Sequence, residues 1–390
     1  MDPALPWPLL DGLSPQAFMR RHWQRRPLLV RQAWPGVVPP LARPALFALA
    51  ASDAVESRLV QRVGPPGAAD GWRLRHGPLP RRALPPLARP GWTLLVQGLD
   101  LHVPAAHAML ARFAFLPYAR LDDLMVSWAS EGGGVGPHVD SYDVFLIQLE
   151  GRRRWRVAPP AAQGEDGFVP GLPLKILRRF EPTSDWVLEP GDMLYLPPRW
   201  GHDGVADGGP CMTASVGLRA PARGELARAL LPRLVDELPD DTRRYADPGL
   251  RPTTHPAALP PAMAAFAAEA LARAAARLKA SPARVAAALG EWLTEPKPGV
   301  WFERAAPVPA DAALRLDARS RMLYDEHHLY LNGEAFRAGG RDARLLRALA
   351  DSRCLTSTAR AWLSPEAAAA VDGWCAAGWL RAAPEGAEEG

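Results

Sequence analysis

Three side chains suited to holding a divalent metal stand in two segments of the sequence. His138 and Asp140 lie two positions apart in GPHVDSYD, and His202 follows in PPRWGHDG. On an extended strand, residues two positions apart point to the same side. Two imidazoles and one carboxylate on one face of a metal leave the opposite face open, which is the arrangement of non-haem Fe(II) oxygenases. His138, Asp140 and His202 are therefore the candidate metal ligands.

A His-x-Asp pair also occurs by chance, and a histidine at a strand end often only hydrogen-bonds its neighbours. That interpretation of His138 stays open on the pair alone. The third candidate ligand weakens that interpretation of His138, because DMLYLP predicts a short strand that ends in two prolines and leads directly to His202. A sheet that returns across a barrel or jelly roll can bring together segments 64 residues apart.

An arginine stands among apolar neighbours shortly after the metal pair. Beyond a predicted hairpin turn at Gly151, the strand 152–157 alternates, with Arg153, Trp155 and Val157 on one face. A guanidinium that faces a barrel interior needs a carboxylate partner. A dicarboxylate such as 2-oxoglutarate, bound to iron through its keto acid end, would offer its far carboxylate to Arg153. A register shifted by one residue would instead place Arg153 outside.

The composition and hydrophobic pattern of the chain change near residue 220. Before it, dense prolines and glycines favour short strands and turns. After it, ELARALLPRLVDEL and AMAAFAAEALARAAARLKA carry apolar residues at helical spacing. Met263, Phe266, Leu271 and Leu278 form an apolar stripe, which predicts packing against another helix that a partner subunit could supply.

The C-terminal part mixes short β-like runs with the helical stretches GRDARLLRALA and SPEAAAAVDGWCAAGWL. This pattern is typical of a small α+β domain of winged-helix type. Residues 301–390 carry 11 arginines and 13 acidic residues, so direct DNA binding is disfavoured and a protein-interaction or scaffold role is expected. We predict a catalytic domain with N-terminal helical elements at 1–221, a helical region at 222–298 and this domain at 299–390.

The composition indicates a globular protein without a strong charge bias. The chain has 46 basic and 42 acidic residues. Of the basic residues 43 are arginines, and their spread along the chain does not predict a nucleic-acid surface. Cys211, Cys354 and Cys375 have no metal-type spacing and predict no disulfide framework. Without a secretory signal or a membrane span, we expect a cytoplasmic protein.

Four segments together resemble one family. The runs GGGVGPHVDSYDVFLIQLEGRRRWRV, PGDMLYLPPRWGHDG, SVGLRAP and FMRRHWQRRPLLVRQAW resemble the bacterial JmjC-type ribosomal oxygenases of the cupin superfamily, over nearly the whole chain. The resemblance implies an α+β fold with a double-stranded β-helix (jelly-roll) core, a helical dimerisation region and a C-terminal winged-helix-like domain. It implies a homodimer that uses Fe(II) and 2-oxoglutarate to hydroxylate a ribosomal protein, with succinate and CO2 as co-products. The best-known bacterial type hydroxylates the β-carbon of an arginine in protein sixteen of the large subunit.

The resemblance also implies roles for single residues. The family's iron ligands match His138, Asp140 and His202. Arg153 matches the arginine that binds the far carboxylate of 2-oxoglutarate, and because relatives that hydroxylate histidine have a lysine there, it favours the arginine-hydroxylase branch. Two positions depart from the family. Ala129 stands where a hydroxyl side chain is common, so Ser127 is the expected substitute, and Thr213 stands where the type member has an asparagine.

An arginine substrate needs acidic and aromatic side chains near the open face of the metal. Glu131, before the metal pair, and Tyr142, after it, are the candidate substrate-binding residues. Asp143 and Asp203 are further candidates. Acidic residues near a site can equally be solvated or pair with a local arginine, so this alternative stays open.

Other functions fit parts of the pattern. A histidyl hydroxylase or JmjC-type demethylase would differ in the substrate pocket. A metal-binding module without activity would serve as a dimeric adaptor, although it would have no use for an intact triad with Arg153. A cupin that uses another metal for isomerisation or ring cleavage leaves Arg153 without a role.

Overall fold

Antiparallel strands form the first of two units, Met1–Ala220, and helices with two small sheets form the second, Pro221–Gly390. The computed structural model describes residues 2–64, 71–160, 167–172, 174–248, 250–252, 255, 257–279 and 282–383. The division into three domains stays a prediction, and its last residues, 384–390, lie outside the described part of the chain.

Short helices precede and interrupt the strands of the first unit. The first helix begins after Ser14, whose Oγ accepts a hydrogen bond from the Ala17 amide at 3.2 Å, and Pro15 fits the first helical turn. The elements are, in chain order, α1 (Pro15–Arg21), β1 (Leu28–Val30), α2 (Arg43–Leu49), β2 (Ser57–Arg62), β3 (Trp72–His76), β4 (Trp92–Val96), α3 (Pro104–Ala111), β5 (Leu121–Ala129), β6 (Val144–Glu150), β7 (Arg153–Ala158), β8 (Ser184–Leu188), β9 (Met193–Leu196), β10 (Gly201–Ala206) and β11 (Cys211–Leu218), with 3-10 turns at Pro8–Leu10, Arg81–Ala83 and Leu99–Leu101.

The strands form two sheets in the described part of this unit. One has eight strands in the order β1-β9-β6-β11-β5-β4-β2-β3, and the other has three in the order β10-β7-β8. Val144 and Leu146 of the larger sheet share one buried apolar cluster with Trp155 and Val157 of the smaller sheet. This cluster joins the inner faces, so the jelly-roll core predicted from the sequence is confirmed.

The eight-stranded sheet has two different faces. On β5, Leu124, Val126 and Trp128 belong to the large apolar core that also holds Phe18 of α1 and Met109 of α3. We call this face the helix side. The alternate residues Asp123, Met125 and Ser127 line a cavity between the sheets, and we call that face the cavity side. The strand period of two residues therefore separates the apolar core from the polar cavity wall.

The turn predicted at Gly151 exists, but the hairpin does not. β6 pairs with β9 and β11, whereas β7 pairs with β8 and β10. The chain thus crosses from one sheet to the other at Gly151, which has a φ of 61°. A glycine adopts this left-handed conformation without steric cost, so the same signal serves a crossing as well as a hairpin.

The second unit begins with helices and ends with an α+β arrangement. Its elements are α4 (Arg223–Asp236), α5 (Pro261–Lys279), α6 (Pro282–Thr294), β12 (Leu314–Leu316), β13 (Met322–Tyr324), β14 (His328–Leu331), β15 (Glu334–Arg337), α7 (Gly340–Ser352), β16 (Cys354–Leu355), α8 (Ser357–Ala361), α9 (Pro365–Ala376) and β17 (Leu380–Ala382). The small sheets have the orders β16-β12-β17 and β13-β14-β15. A common core from Leu314, Leu349 and Trp374 holds the strands and helices together.

Two of the four residues in the apolar stripe predicted on α5 stay exposed in the described part of the chain. Leu278 packs against the cluster formed by α4 and α6, and Phe266 contacts the ring of Tyr245. Met263 and Leu271 remain 43% and 74% exposed. No described helix of the chain combines the length and hydropathy needed to cross a membrane.

Candidate functional site

Backbone pairing places the candidate metal ligands beside one another. His138 and His202 form an isolated antiparallel bridge, with N–H to O distances of 3.0 and 2.9 Å. The segment that carries His138 and Asp140 thereby extends the three-stranded sheet next to the start of β10. A further bond, from the Arg199 amide to the Asp140 carbonyl at 2.8 Å, ties this segment to the turn before His202.

The side chains of the three residues converge on one point. One ligand atom from each of His138, Asp140 and His202 lies within 4.8 Å of the others, and Nε2 of His202 lies 3.5 Å from the Asp140 carboxylate. Nδ1 of His138 bonds the Gly136 carbonyl at 2.8 Å, and Nδ1 of His202 bonds the Trp200 carbonyl at 2.9 Å. A carbonyl partner fixes the proton on Nδ1, so both Nε2 atoms are free to bind a metal.

The environment of His202 favours its neutral form. Burial, together with the neighbouring His138, lowers the pKa of His202 to about 4. A neutral imidazole is the form that binds a metal. Two histidines held in this way, with one carboxylate, fit an octahedral divalent cation that keeps open positions.

A cavity of about 330 Å³ opens beside these ligands between the two sheets. Its wall is apolar at Val144, Leu146 and Trp155, and polar at Ser127 and Thr213. Such a mixed wall is typical of a site for a small ligand that is oriented by a few polar groups.

Arg153 points into this cavity and is 3% exposed. Its Nη2 donates to the Gly204 carbonyl at 3.0 Å, its guanidinium lies 5.1 Å from the ring centre of Trp155, and Nε has no hydrogen-bond partner. Within the described chain, no carboxylate oxygen lies within 4.0 Å of the guanidinium. A buried, unpaired cation is costly, so this arrangement fits an anionic ligand that completes the pairing.

Gly204 provides the space in which Arg153 lies. A Cβ atom at this position would lie 2.6 Å from the Trp155 ring and 2.8 Å from Nε of Arg153. Glycine is therefore required here by space, because any side chain would displace the guanidinium.

The two predicted hydroxyl residues flank Arg153 in different ways. Ser127 Oγ lies 3.4 Å from Nη1 of Arg153, and both residues line the cavity. Thr213 also lines it, but its hydroxyl donates to Oε1 of Gln148 at 3.0 Å. Thr213 therefore offers a ligand an acceptor oxygen while this bond persists. Ala129 packs against Cys211, and burial raises the pKa of that thiol.

The substrate-pocket candidates divide into one inside the cavity and three outside. Tyr142 lines the cavity and is 38% exposed. Glu131 is absent from the lining and instead accepts hydrogen bonds from the amides of Gly208 and Gly209. Asp203 faces away and pairs with Arg156.

Asp143 is fully buried outside the cavity and holds its segment in place. Its carboxylate accepts bonds from the Tyr195 hydroxyl at 2.6 Å, from Gln24 at 3.0 Å and from Arg120 at 3.3 Å. These partners tie the start of β6 to β9 and to the segment after α1. Asp143 therefore has its hydrogen-bonding capacity occupied within the protein.

The sequence argument missed two acidic residues of the cavity wall, Asp122 and Asp123. Asp123 is buried and accepts bonds from Gln97 at 2.8 Å and from the Gly98 amide at 2.9 Å. The Asp122 side chain is 43% exposed and lies 3.6 Å from Arg219. The sequence signal for these residues is the pair of adjacent acids at the start of the strand LDDLMVSWA. Because adjacent residues of a strand point to opposite faces, at least one member of such a pair must face inward.

Two family models match the chain. One, described as a JmjC domain, matches residues 108–226, and the other, described as a ROXA-like winged helix, matches residues 276–381. The winged-helix-like fold predicted for the C-terminal part is thereby confirmed.

Several similar proteins come from Escherichia coli. Ribosomal protein uL16 3-hydroxylase of Escherichia coli (strain K12) is 40% identical over 243 residues, which is 62% of this chain and 61% of that protein. The matched segments thus span about three fifths of the curated relatives' length. The X-ray structure of E. coli ycfD has a TM-score of 0.77 at 32% identity, covering 94% of this chain and 97% of that one. A structure of YcfD, a ribosomal oxygenase from Escherichia coli, in complex with cobalt and 2-oxoglutarate has a TM-score of 0.75 at 31% identity, covering 95% and 98%.

Proposed function

This chain belongs to the JmjC-type ribosomal oxygenases, and from that premise we propose that it is an Fe(II)- and 2-oxoglutarate-dependent protein hydroxylase. Its substrate is an arginine of the large-subunit ribosomal protein uL16, hydroxylated at the β-carbon. Succinate and CO2 are the co-products. The chain is thus an arginine 3-hydroxylase among the 2-oxoglutarate-dependent dioxygenases.

The observation that carries this proposal is that a candidate metal site and a buried cation lie in the same cavity. The His138, Asp140 and His202 donor atoms lie together at the cavity wall, and Arg153 lies buried in the same cavity without a carboxylate partner. A dicarboxylate keto acid needs both, because its keto acid end binds the metal and its far end needs a cation. The orphaned Nε of Arg153 supports the fit.

Each residue then has a definite task. His138, Asp140 and His202 hold Fe(II), and the carbonyls of Gly136 and Trp200 orient the two imidazoles. Arg153 binds the far carboxylate of 2-oxoglutarate, with Ser127 and Thr213 beside it. When bound, iron and 2-oxoglutarate supply the oxidative decarboxylation that consumes dioxygen and hydroxylates a carbon. The protein orients both substrates and keeps water from the apolar wall.

The mouth of the cavity suits a guanidinium. Tyr142 offers an aromatic face, and Asp122 offers a partly exposed carboxylate on the same lining. We assign substrate binding to Tyr142 and Asp122. Glu131 lies outside the lining, so its predicted role in substrate binding has no support from its position.

We further propose a cytoplasmic homodimer without direct DNA binding. The exposed side chains of Met263 and Leu271 on α5 support an apolar contact with a second copy. Light scattering of the full chain tests this assembly. The charge of the winged-helix-like domain, with 11 arginines and 13 acidic residues in 301–390, supports a role other than DNA binding.

The test incubates the purified chain with Fe(II), 2-oxoglutarate and uL16 from cells that lack the enzyme. We expect succinate in equal amount to modified uL16, with one added oxygen mapped to an arginine. An added oxygen on histidine, or loss of a methyl group, would instead identify the histidyl hydroxylase or demethylase branch. Metal binding without any consumption of 2-oxoglutarate in ribosomal extracts would identify a non-catalytic adaptor.

A further inference from the structure

A group of arginines lies on the face of β3 that points away from the cavity. Arg73 and Arg75 are two positions apart on this strand and share a face, whereas Leu74 between them lines the cavity. Nη1 of Arg75 donates to the Ala83 carbonyl at 2.9 Å, which brings the turn 81–83 beside the strand. The group, which we call the arginine surface, consists of Arg73, Arg75, Arg81 and Arg82.

Among the described residues, these four cations have no carboxylate partner of the kind that other exposed arginines have. Arg154 pairs with Asp185 at 3.2 Å, and Arg179 pairs with Glu181 at 2.6 Å. Across the described residues, no carboxylate oxygen lies within 4.0 Å of any member of the arginine surface, and all four members are exposed. Uncompensated surface charge of one sign creates a field that attracts a partner of the opposite sign.

The sequence explains why the charge is uncompensated. Residues 71–99 contain five arginines and no acidic residue, whereas the rest of the chain has 41 basic and 42 acidic residues. Positive charge is therefore concentrated within this short segment, which lies between Asp70 and Asp100. The folded strand and the adjacent turn show that four of these five arginines are grouped on one face.

We propose that the arginine surface binds the phosphodiester backbone of RNA. Arg73 and Arg75 are separated by two strand rises, about 6.6 Å, a spacing comparable to that of consecutive phosphates in a nucleic-acid strand. Arg75 and Arg81 donate to backbone carbonyls through Nη1 only. Guanidinium groups bind phosphate through two parallel hydrogen bonds, so exposed arginines without a carboxylate partner among the described residues suit this anion. The turn with Arg81 and Arg82 lengthens the track to further phosphates.

The choice of RNA rests on the proposed function. A ribosomal protein is itself basic, so the arginine surface repels it and does not serve as its docking site. The polyanion with which ribosomal proteins associate is ribosomal RNA. Because Leu74 of β3 lines the cavity while Arg73 and Arg75 face outward, RNA bound here lies on the opposite face of a strand that forms part of the cavity wall. The arginine surface therefore favours a substrate that is presented together with RNA.

The test measures binding of the full chain to a fluorescently labelled single-stranded RNA of mixed sequence at several salt concentrations. We expect log K to fall linearly with log salt, with a slope near −2 to −3 for about three or four neutralised phosphates. The variant Arg73→Gln/Arg75→Gln/Arg82→Gln should bind at least about tenfold more weakly, with the slope reduced by about 2. The matched control Arg154→Gln/Arg179→Gln/Arg273→Gln removes the same charge from paired positions and should bind as the parent chain does.

A charge-retaining variant, Arg73→Lys/Arg75→Lys/Arg82→Lys, should keep most of the affinity and so separates loss of charge from a local change in fold. Equal weakening by the test and control variants, or the absence of salt-dependent RNA binding, would overturn the proposal. So would binding to an acidic protein or anionic vesicles but not to RNA. Hydroxylation of a free uL16 peptide should be unaffected by the three Gln substitutions. If the parent chain hydroxylates neither that peptide nor uL16 in the presence of ribosomal RNA, the proposed function fails whatever the RNA measurement shows.

Discussion

On its helix side, the eight-stranded sheet carries apolar side chains such as Leu124 and Val126, whereas on its cavity side the same strand carries Met125 and Ser127. The helix side is closed by α1 to α3 and belongs to the large apolar core. The cavity side faces a volume that also holds Arg153, a buried cation with no carboxylate partner among the described residues. The apolar packing that stabilises the fold thus lies on one face of the sheet, and the groups that bind ligands lie on the other. Adjacent residues of a strand belong to different faces.

The largest effect should come from the cavity side. Asp140→Ala removes the anionic member of the ligand set, so we expect turnover to fall by roughly a thousandfold or more, about 4 kcal/mol in activation free energy, with little change in unfolding free energy. Succinate release with measured iron content checks this. Asp185→Ala, on the exposed Arg154 pair, is the control. Full turnover in an iron-loaded Asp140→Ala protein would contradict the assigned ligand set.

The next effect should separate two adjacent residues of β5. Leu124 is fully buried on the helix side, so Leu124→Ala should lower the unfolding free energy by about 3 kcal/mol while the KM values stay near those of the parent. Met125→Ala, on the cavity side, should cost no more than about 1 kcal/mol and should change the KM for the substrate protein. Denaturant titrations with matched steady-state kinetics test the pair. Similar stability losses for both variants would remove the distinction between the faces.

Arg153 should give effects of opposite sign on activity and on stability. Arg153→Gln should raise the KM for 2-oxoglutarate about 100-fold, because it removes charge-assisted bonds to the far carboxylate. Without 2-oxoglutarate the unfolding free energy should stay unchanged or rise slightly, since an unpaired buried charge is removed. Arg154→Gln, on the opposite face of β7, should behave as the parent does. A strongly destabilised Arg153→Gln protein with normal KM would assign Arg153 a structural role.

A smaller, pH-dependent effect is expected at the turn that joins the two sheets. Burial alone would raise the pKa of Asp192, but hydrogen bonds from the Gln32 and Glu189 amides and from Arg31 lower it below the usual range. A lowered pKa in the folded state gives stability that is present above the unfolded pKa, near 4, and is lost as the pH falls through the folded pKa. Asp192→Asn should therefore cost about 2 kcal/mol at pH 7 and progressively less below pH 4.

Unfolding measured from pH 7 down to pH 3 tests this, with Asp185→Asn as the exposed control. A cost that stays constant across that range would show that hydrogen-bond geometry, and not charge, accounts for the effect of Asp192.

The smallest effect should come from Ser127. Its contacts to Arg153 and to the Thr213 carbonyl are both 3.4 Å long, so Ser127→Ala should raise the KM for 2-oxoglutarate only a few-fold. Isothermal titration with 2-oxoglutarate and a redox-inert metal measures the same difference without turnover. A loss as large as that of Arg153→Gln would move the centre of cosubstrate recognition to Ser127.

Local periodicity explains what the sequence could predict. The alternation at 153–157 correctly places Arg153 and Trp155 inward and Arg154 outward, because a buried face and a solvated face select different side chains. The helical spacing after residue 220 likewise predicts α4 and α5. These features depend on neighbours in the chain.

Long-range partners explain what the sequence could not predict. Asp143 stands three residues after Asp140, yet its partners Tyr195 and Gln24 are 52 and 119 residues away, so its burial outside the cavity could not be read locally. Gly151 gives the same turn signal in a hairpin and in a crossing between sheets. The charge grouping on β3 appears only when the turn 81–83 packs beside the strand.

Gly204 has a consequence for how this fold evolves. Its Cα leaves room for Arg153 only because no side chain is present, and a single methyl group would overlap both the guanidinium and the Trp155 ring. The three atoms nearest to such a methyl group belong to Trp155 and Arg153, and none belongs to a metal ligand. An inherited Gly204→Ala change should therefore weaken cosubstrate binding through Arg153, which makes position 204 the place to inspect when sorting active members of such a lineage from silent ones.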